Sequence, residues 1–131
     1  MLCRAPCLLI LTFASCHADT QKLAADSRAR QPKDNTFATK LVYAALDRTA
    51  NVVRYDGAYL KLSYPGGDVP AETGVCTDEI VRAYRALGFD LQKLVHEDMK
   101  RNFSVYPQQW GLTTIDTNID HRRVPNLQTF F

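Results

Sequence analysis

The sequence lacks the long apolar run that an ordinary membrane-spanning helix needs, about 18 residues, and it lacks a marked excess of charge. Sixteen basic and 14 acidic residues among 131 leave a formal net charge of +2. This balance argues against binding to nucleic acid or to an anionic membrane surface. No internal repeat or low-complexity segment is present. The hydrophobic content of 46% and charged content of 23% are typical of one globular domain.

Cysteine is scarce as well, and three of the four cysteines fall within the first 16 residues. Residues 1–18 pass from a short basic start through an apolar stretch to small residues, the order of a secretory signal peptide. We therefore expect an exported, periplasmic protein that is cleaved near Ala18. Two alternatives stay open. Phe13-Ala14-Ser15-Cys16 resembles the lipobox of bacterial lipoproteins, which would place a lipid anchor on Cys16, and the apolar stretch also fits a buried strand or short helix.

After removal of the signal, Cys76 would remain as the one free thiol of the mature chain. An exported protein with a single such cysteine forms no internal disulfide, so the thiol is either buried and inert or kept for chemistry. The polar residues 19–35 predict a flexible linker, and residues 36–131 predict the domain.

Apolar residues at helical spacing predict three helices and a fourth at the end of the chain. The predicted helices run from about Phe37 to Thr49, from Cys76 to Leu87, from Leu91 to about Asn102, and onward from Leu127 after a capping Asn126. The second helix is predicted to bury one stripe, formed by Ile80, Ala83, Tyr84 and Leu87. Residues 55–74 are rich in Gly and Pro, which predicts a long loop with a brief strand at 59–64 and little sheet elsewhere.

Cys76 is the candidate nucleophile because it stands at the start of a predicted helix. There the unpaired backbone N–H groups and the positive end of the helix dipole favour the reactive thiolate. Asp78 and Glu79 nearby oppose this effect. The structural alternative is a small buried hydrophobic residue, a common role for cysteine.

A cysteine nucleophile normally needs a neighbouring base, and only His96 and His121 follow the signal. His96 fits an ordinary residue of the third helix. His121 and Arg122 lie in a cluster of acid, imidazole and guanidinium groups at 118–123, which predicts binding of an anionic substrate group or, alternatively, a solvated turn.

Tyr64 precedes Pro65 and two glycines, so its hydroxyl is a candidate for holding an oxyanion, with a core tyrosine in a simple turn as the alternative. No metal site is predicted, because Lys100 stands where a zincin helix would carry its second histidine after His96. No cofactor is expected.

Several long motifs resemble a bacterial family, Domain of Unknown Function 1287, in the same order from about residue 37 to the end. They are Tyr55-Asp56-Gly57, Tyr64-Pro65-Gly66-Gly67-Asp68-Val69-Pro70, Gly74-Val75-Cys76-Thr77-Asp78, Leu91-Gln92-Lys93-Leu94-Val95-His96-Glu97-Asp98-Met99 and Asn118-Ile119-Asp120-His121-Arg122-Arg123-Val124-Pro125-Asn126-Leu127.

The resemblance implies an α+β fold related to papain-like and NlpC-type cysteine hydrolases, represented here mainly by its N-terminal helical part with little sheet. By position, Cys76 matches the nucleophile of such enzymes, and Tyr64 is similar in placement to a tyrosine that precedes it. The family's base is implied to lie in a second half of the domain, which neither His96 nor His121 matches.

The resemblance therefore implies a thiol-dependent amide-bond hydrolase acting on a peptide or peptidoglycan-like substrate. We expect weak or no hydrolysis if the gene product ends at residue 131, since the base and the core strands would be absent. The alternatives are a non-catalytic envelope protein that binds a glycan, a peptide or another partner, and a truncated remnant.

Overall fold

The computed structural model describes residues 34–131, which form four α-helices, a two-stranded sheet and two short 3-10 turns. In chain order these are α1 (Phe37–Arg48), β1 (Arg54–Tyr55), β2 (Thr73–Gly74), α2 (Cys76–Ala86), α3 (Leu91–Asn102), the turns Phe103–Val105 and Asp120–Arg122, and α4 (Val124–Phe130). The predicted signal (residues 1–18), the candidate lipidation site Cys16 and nearly all of the predicted linker lie outside the described residues.

The fold class is α+β with mostly helix, as predicted. The first three helices are confirmed within one residue at each end. The last helix begins at Val124 rather than Leu127, with a proline in its first turn. Proline suits this place because its fixed φ is helical and its missing N–H needs no partner there. Within residues 34–131 no helix combines the length and the apolar character that crossing a bilayer requires.

Helix α1 begins at a side-chain cap. The Thr36 hydroxyl accepts a hydrogen bond from the Thr39 N–H, which satisfies one of the free donors of the first turn. α1 buries none of its residues and packs on α2.

The sheet is a single parallel pair. Arg54 lies opposite Thr73, and Tyr55 lies opposite Gly74. The brief strand predicted at 59–64 is wrong: this segment has no regular structure. Its backbone is held by side chains from other elements instead of by a neighbouring strand.

Helix α2 is followed by a glycine. Gly88 has a φ of 87°, a left-handed conformation that glycine adopts without a Cβ clash. The N–H groups of Gly88 and Phe89 bond back to the carbonyls of Arg85 and Tyr84, which is the Schellman arrangement.

The predicted buried stripe of α2 is partly wrong. Ile80 is 42% exposed, whereas Val81, Ala83, Asp78 and Arg82 are buried. The reason is tertiary: the face of α2 that turns inward carries charged side chains whose partners lie far away in the sequence.

The core lies on the other side of the molecule, around α3. Its buried members are Val81, Leu91, Val95, Met99, Tyr106 and Leu127. Three of them, Leu91, Val95 and Met99, lie on one face of α3, and each is fully inaccessible to solvent. The core thus joins α2, α3 and α4 and leaves α1 outside it.

Gln92 holds the irregular segment that precedes α2. Its side chain, 1% exposed, accepts from the Gly67 N–H at 2.9 Å and donates to the Ser63 and Thr117 carbonyls at 2.9 and 3.0 Å. A Cβ on Gly67 would lie 2.1 Å from the Ser63 oxygen, so only glycine allows the loop to close this tightly. The buried Gln92 side chain thus provides the hydrogen-bond partners that a neighbouring strand would provide in a sheet.

We predict that Leu91→Ala lowers the free energy of unfolding by about 2–5 kcal/mol, because it removes a fully buried side chain and leaves a cavity. Leu60→Ala, at a position 37% exposed, is the matched control and should cost about 1 kcal/mol or less. Urea unfolding checks both, and equal losses would contradict this description of the core.

Candidate functional site

Cys76 is the first residue of α2 and is exposed, with a free thiol. The chain reaches it directly from β2, through Val75 as the N-terminal cap. The predicted position at a helix start is confirmed, and the alternative of a small buried hydrophobic residue is wrong. A thiol on the surface of a first helical turn is accessible to solvent and to thiol reagents.

Buried polar contacts fix the turn that carries this thiol. The Asp78 carboxylate accepts from the Val75 N–H at 2.7 Å and receives two hydrogen bonds from the Arg122 guanidinium, at 2.8 and 3.0 Å. The Thr77 hydroxyl donates to the Arg122 carbonyl at 2.7 Å. Since Thr77, Asp78 and Arg122 are all nearly inaccessible, water does not compete for these bonds.

The second acidic residue of this turn is also paired. Glu79 binds Arg48 of α1 at 2.9 Å and Arg82 at 2.7 Å. Burial raises the pKa of Glu79, but the hydrogen bonds from the two arginines outweigh burial and hold this pKa below its usual value. The two carboxylates expected to oppose a thiolate at Cys76 therefore each face a guanidinium.

Arg82 holds the segment leading into β2. Its side chain, which is buried, reaches Asp68 at 3.0 Å and the carbonyls of Val69, Pro70 and Thr73 at 3.1–3.2 Å. One guanidinium thus satisfies three backbone acceptors that a longer strand would otherwise pair. The loop before Cys76 is shaped by this arginine, a role that sequence reasoning missed.

Tyr64 lies against His96 of α3, with ring centroids 5.0 Å apart and an interplanar angle of 65°. Its side chain is partly exposed, and the Tyr64-Pro65 peptide bond is cis. The alternative of a core tyrosine is wrong. The oxyanion role of Tyr64 stays a prediction.

His121 and Arg122, the two predicted substrate-binding residues, are 3% and 5% exposed. The Arg122 guanidinium is occupied by Asp78 and by the Ala58 carbonyl at 3.2 Å. The alternative of a solvated turn is therefore wrong, because the segment is buried under the first turn of α2. Substrate binding by these two residues stays a prediction, and their observed contacts are structural.

The buried imidazole of His121 is uncharged at neutral pH. Burial lowers its pKa to about 4, and the neighbouring Arg122 adds to this effect while Asp78 opposes it. Its Nδ1 atom has no hydrogen-bond partner among the described residues. A neutral ring in this place needs no counter-charge.

Sequence reasoning named Asp120 as the acid of the cluster at 118–123 but missed Asp116, which lies just before it. The Asp116 carboxylate accepts a hydrogen bond from the Tyr59 hydroxyl at 2.9 Å. The side-chain amide of Asn118 donates a hydrogen bond to the same hydroxyl at 2.8 Å. Asp120 is 1% exposed, and its burial raises its pKa despite the hydrogen bond from the Asp116 N–H. No local signal could have found the link to Tyr59, because its partners lie 57 and 59 residues away.

A metal site in the described part of the chain would need several ligating side chains close together. Across residues 34–131, His, Cys, Asp and Glu side chains nowhere gather in a group of three or more that could hold an ion. What the arrangement offers chemically is an accessible sulfur beside the first N–H groups of a rigidly held helix.

We predict that Arg122→Met destabilises the fold by about 3–5 kcal/mol, because it leaves the Asp78 carboxylate buried and unpaired. Arg54→Met is the matched control: it breaks an exposed ion pair with Asp56 and should cost about 1 kcal/mol or less. Adding Asp78→Leu to Arg122→Met should recover part of the loss. Urea unfolding measures the loss of stability in each of the three variants. Equal losses for the two arginine substitutions would contradict the stabilising role of the buried Asp78–Arg122 pair.

The lowered pKa of His121 predicts acid sensitivity. Between the unfolded value of 6.5 and the folded value of about 4, the unfolded chain binds a proton that the folded chain does not. Stability therefore falls as the pH falls through this window, by on the order of 3 kcal/mol in total. His121→Gln should remove this part of the pH dependence in urea unfolding between pH 4.5 and 7. An unchanged slope in the variant would show that His121 is not its source.

Comparison with known proteins places the chain among proteins of undetermined activity. The family described as "Domain of unknown function (DUF1287)" matches residues 42–131. The uncharacterized protein YijF of Escherichia coli (strain K12) is 59% identical over 87 residues, which cover 66% of this chain and 42% of YijF. No solved structure matches the chain significantly.

The matched segment is thus less than half of YijF's length, whereas the family match extends over more than two thirds of the chain. The exposed cysteine, its buried Asp78–Arg122 support and the loop held by Gln92 all lie within the family match. By this family match, the chain belongs to the DUF1287 family.

Proposed function

We propose that this chain carries the nucleophile of a thiol-dependent amide-bond hydrolase of the papain-like class. The observation that carries the proposal is the exposed thiol of Cys76 on the first residue of α2. The substrate class is a peptide amide, with cell-wall peptide as the natural choice for an exported protein. Export itself, to the periplasm or to a lipid anchor at Cys16, is part of the proposal.

The helix start supports the chemistry in two ways. The first N–H groups of a helix have no acceptor inside it, and we propose that the N–H of Cys76 donates to the negative oxygen of a tetrahedral intermediate. The same end of the helix carries the positive part of the dipole, which stabilises a negatively charged sulfur.

In the proposed reaction the thiol gives its proton to the base, and the sulfur attacks the carbonyl carbon while the C=O π electrons move to the oxygen, which the helix N–H stabilises. The intermediate then collapses, the C–N bond breaks, and the amine leaves with the proton from the base. Water hydrolyses the resulting thioester and restores the thiol.

Charge pairing supports the proposal too. Asp78 and Glu79 would repel a negative sulfur if they were unpaired, but Arg122 neutralises the first and Arg48 and Arg82 neutralise the second. The dipole of α2 therefore acts on the sulfur with little opposition from its own first turn.

Tyr64 is proposed as a further donor to the oxyanion. Its ring is positioned by His96, and its side chain remains 42% exposed. We assign the base to none of residues 34–131, because His121 is sealed beneath α2 and His96 packs its ring on Tyr64. The base is proposed to come from polypeptide outside this segment.

A second candidate, a non-catalytic binding protein, is favoured by a different observation. Among the exposed aromatic side chains, Tyr55, Tyr59 and Trp110 can also form hydrogen bonds, and their exposures are 59% to 76%. The Tyr59 hydroxyl is hydrogen-bonded to Asp116 and Asn118. The Arg123 guanidinium stacks on the Trp110 ring, 4.8 Å from the ring centroid. Rigid exposed rings suit a glycan or peptide ligand. This candidate predicts that Cys76→Ser leaves binding and function intact.

The hydrolase proposal predicts a reactive Cys76. At pH 7 the intact chain should be alkylated at Cys76 at least about fivefold faster than an ordinary exposed thiol. The matched control is Ser104→Cys in a Cys76→Ser background, since residue 104 is exposed and lies in the 3-10 turn Phe103–Val105. Peptide mass spectrometry resolves the rates at the individual cysteines. If Cys76 reacts no faster than the cysteine introduced at 104, the hydrolase proposal fails.

A further inference from the structure

The loop after α3 displays Trp110 in an unusual backbone conformation. Within residues 34–131 it is the one residue other than glycine with a positive φ, 58°. Gly111 follows with a φ of 67°, and the Leu112 N–H donates to the Gln109 carbonyl at 3.1 Å. A tight turn with two positive φ angles is normally built from asparagine and glycine, because a larger side chain is strained there. A tryptophan at the first of these two positions therefore lowers the stability of the fold.

Burial of the ring does not offset this strain. Trp110 is 60% exposed, and one face of its ring is covered by the Arg123 guanidinium, 4.8 Å from the ring centroid. The turn and the guanidinium together fix the direction of the indole, while its opposite face is open to solvent. A residue that is strained, fixed and exposed contributes little to folding, and residues of this kind cluster at sites that bind ligands.

Arg123 places hydrogen-bond donors at the rim of the indole. Within the part of the chain that the structure describes, its guanidinium contacts Asp120 at 3.4 Å. A guanidinium carries several N–H donors in a planar fork, so this one long contact leaves most of them available. A ligand that stacks on the indole can therefore also receive hydrogen bonds from Arg123.

A carboxylate and a second exposed ring belong to the same surface. Burial raises the pKa of Asp116, but the hydrogen bonds from Asn118 and Tyr59 and the nearby charge of Arg123 outweigh burial and hold this pKa below its usual value. Asp116 is therefore ionised at neutral pH. The Tyr59 hydroxyl that it accepts belongs to a ring that is 59% exposed.

These groups together suit an oligosaccharide. A sugar ring has a face of C–H groups that stacks on an indole by dispersion, and its hydroxyls accept from a guanidinium and donate to a carboxylate. A cationic ligand is disfavoured because Arg123 already occupies one face of the ring and would repel a second cation. An aliphatic side chain of a peptide would use the ring face but neither the donors nor the carboxylate.

We propose that Trp110, Arg123 and Asp116 form a binding site for an uncharged oligosaccharide, with Trp110 as the stacking platform. The inference deepens the second candidate function, the binding protein, and rests on it, because it names the site and the class of ligand. It requires no reaction at Cys76.

Trp110 is the one tryptophan in the sequence of 131 residues, so its fluorescence reports on this site directly. The intact chain is titrated with two neutral trisaccharides, cellotriose and triacetylchitotriose, and with tetra-alanine as a peptide probe. We expect at least one trisaccharide to shift the emission to shorter wavelength and to saturate, with a Kd on the order of 1 mM or tighter. The proposal is overturned if neither trisaccharide gives a saturable shift, or if tetra-alanine binds more tightly than both.

Trp110→Asn should change stability and binding in opposite directions. Asparagine tolerates a positive φ, so the melting temperature should rise by about 2 °C or more. The affinity for the trisaccharide, measured by isothermal titration calorimetry, should fall at least about tenfold because the stacking face is lost. Trp110→Phe retains a ring and should keep the affinity within about fivefold of the parent.

Val105→Asn is the matched control, since residue 105 is 68% exposed and lies in the turn Phe103–Val105, outside the site. It should change the melting temperature by less than about 2 °C and the affinity by less than about twofold. Unchanged affinity in Trp110→Asn, or a lower melting temperature in that variant, would overturn the proposal.

The proposals fail separately. The titrations can be repeated in a Cys76→Ser background, which removes the thiol and leaves Trp110 unchanged. Slow alkylation of Cys76 combined with trisaccharide binding would reject the hydrolase and keep the oligosaccharide site. Trisaccharide binding that persists in Trp110→Asn would keep the binding-protein candidate and reject this site.

Discussion

The buried pair of Asp78 and Arg122 ties the start of α2 to a segment 44 residues later in the chain. A carboxylate removed from water is costly unless it is paired and hydrogen-bonded, and here it has two guanidinium donors and one backbone donor. The Arg122 carbonyl in turn accepts a hydrogen bond from the Thr77 hydroxyl. These contacts fix the orientation of the turn that presents Cys76, so every functional argument about the thiol depends on them.

Similar buried polar side chains take the place of sheet elsewhere in the molecule. With only two residues in each strand, the long segment between β1 and β2 has few strand partners for its backbone groups. Gln92 and Arg82 supply partners from α3 and α2. Backbone groups that are buried must find such partners, and this requirement accounts for a glutamine and an arginine in the interior.

The two sides of α2 have different characters. One side contributes Val81 to a core that α3 and α4 complete. The other side, around Ile80, meets α1 across an open apolar groove. Cys76, the proposed nucleophile, is the first residue of this helix.

The sequence by itself determined the features that depend on local spacing. The extents of α1, α2 and α3, the glycine at the end of α2 and the place of Cys76 at a helix start all follow from residues within one or two turns of each other. Only the tertiary structure decided which side chains are buried. Ile80 is exposed while Arg122 and His121 are sealed, because burial here is set by ion pairs and hydrogen bonds between residues tens of positions apart, which helical periodicity does not encode.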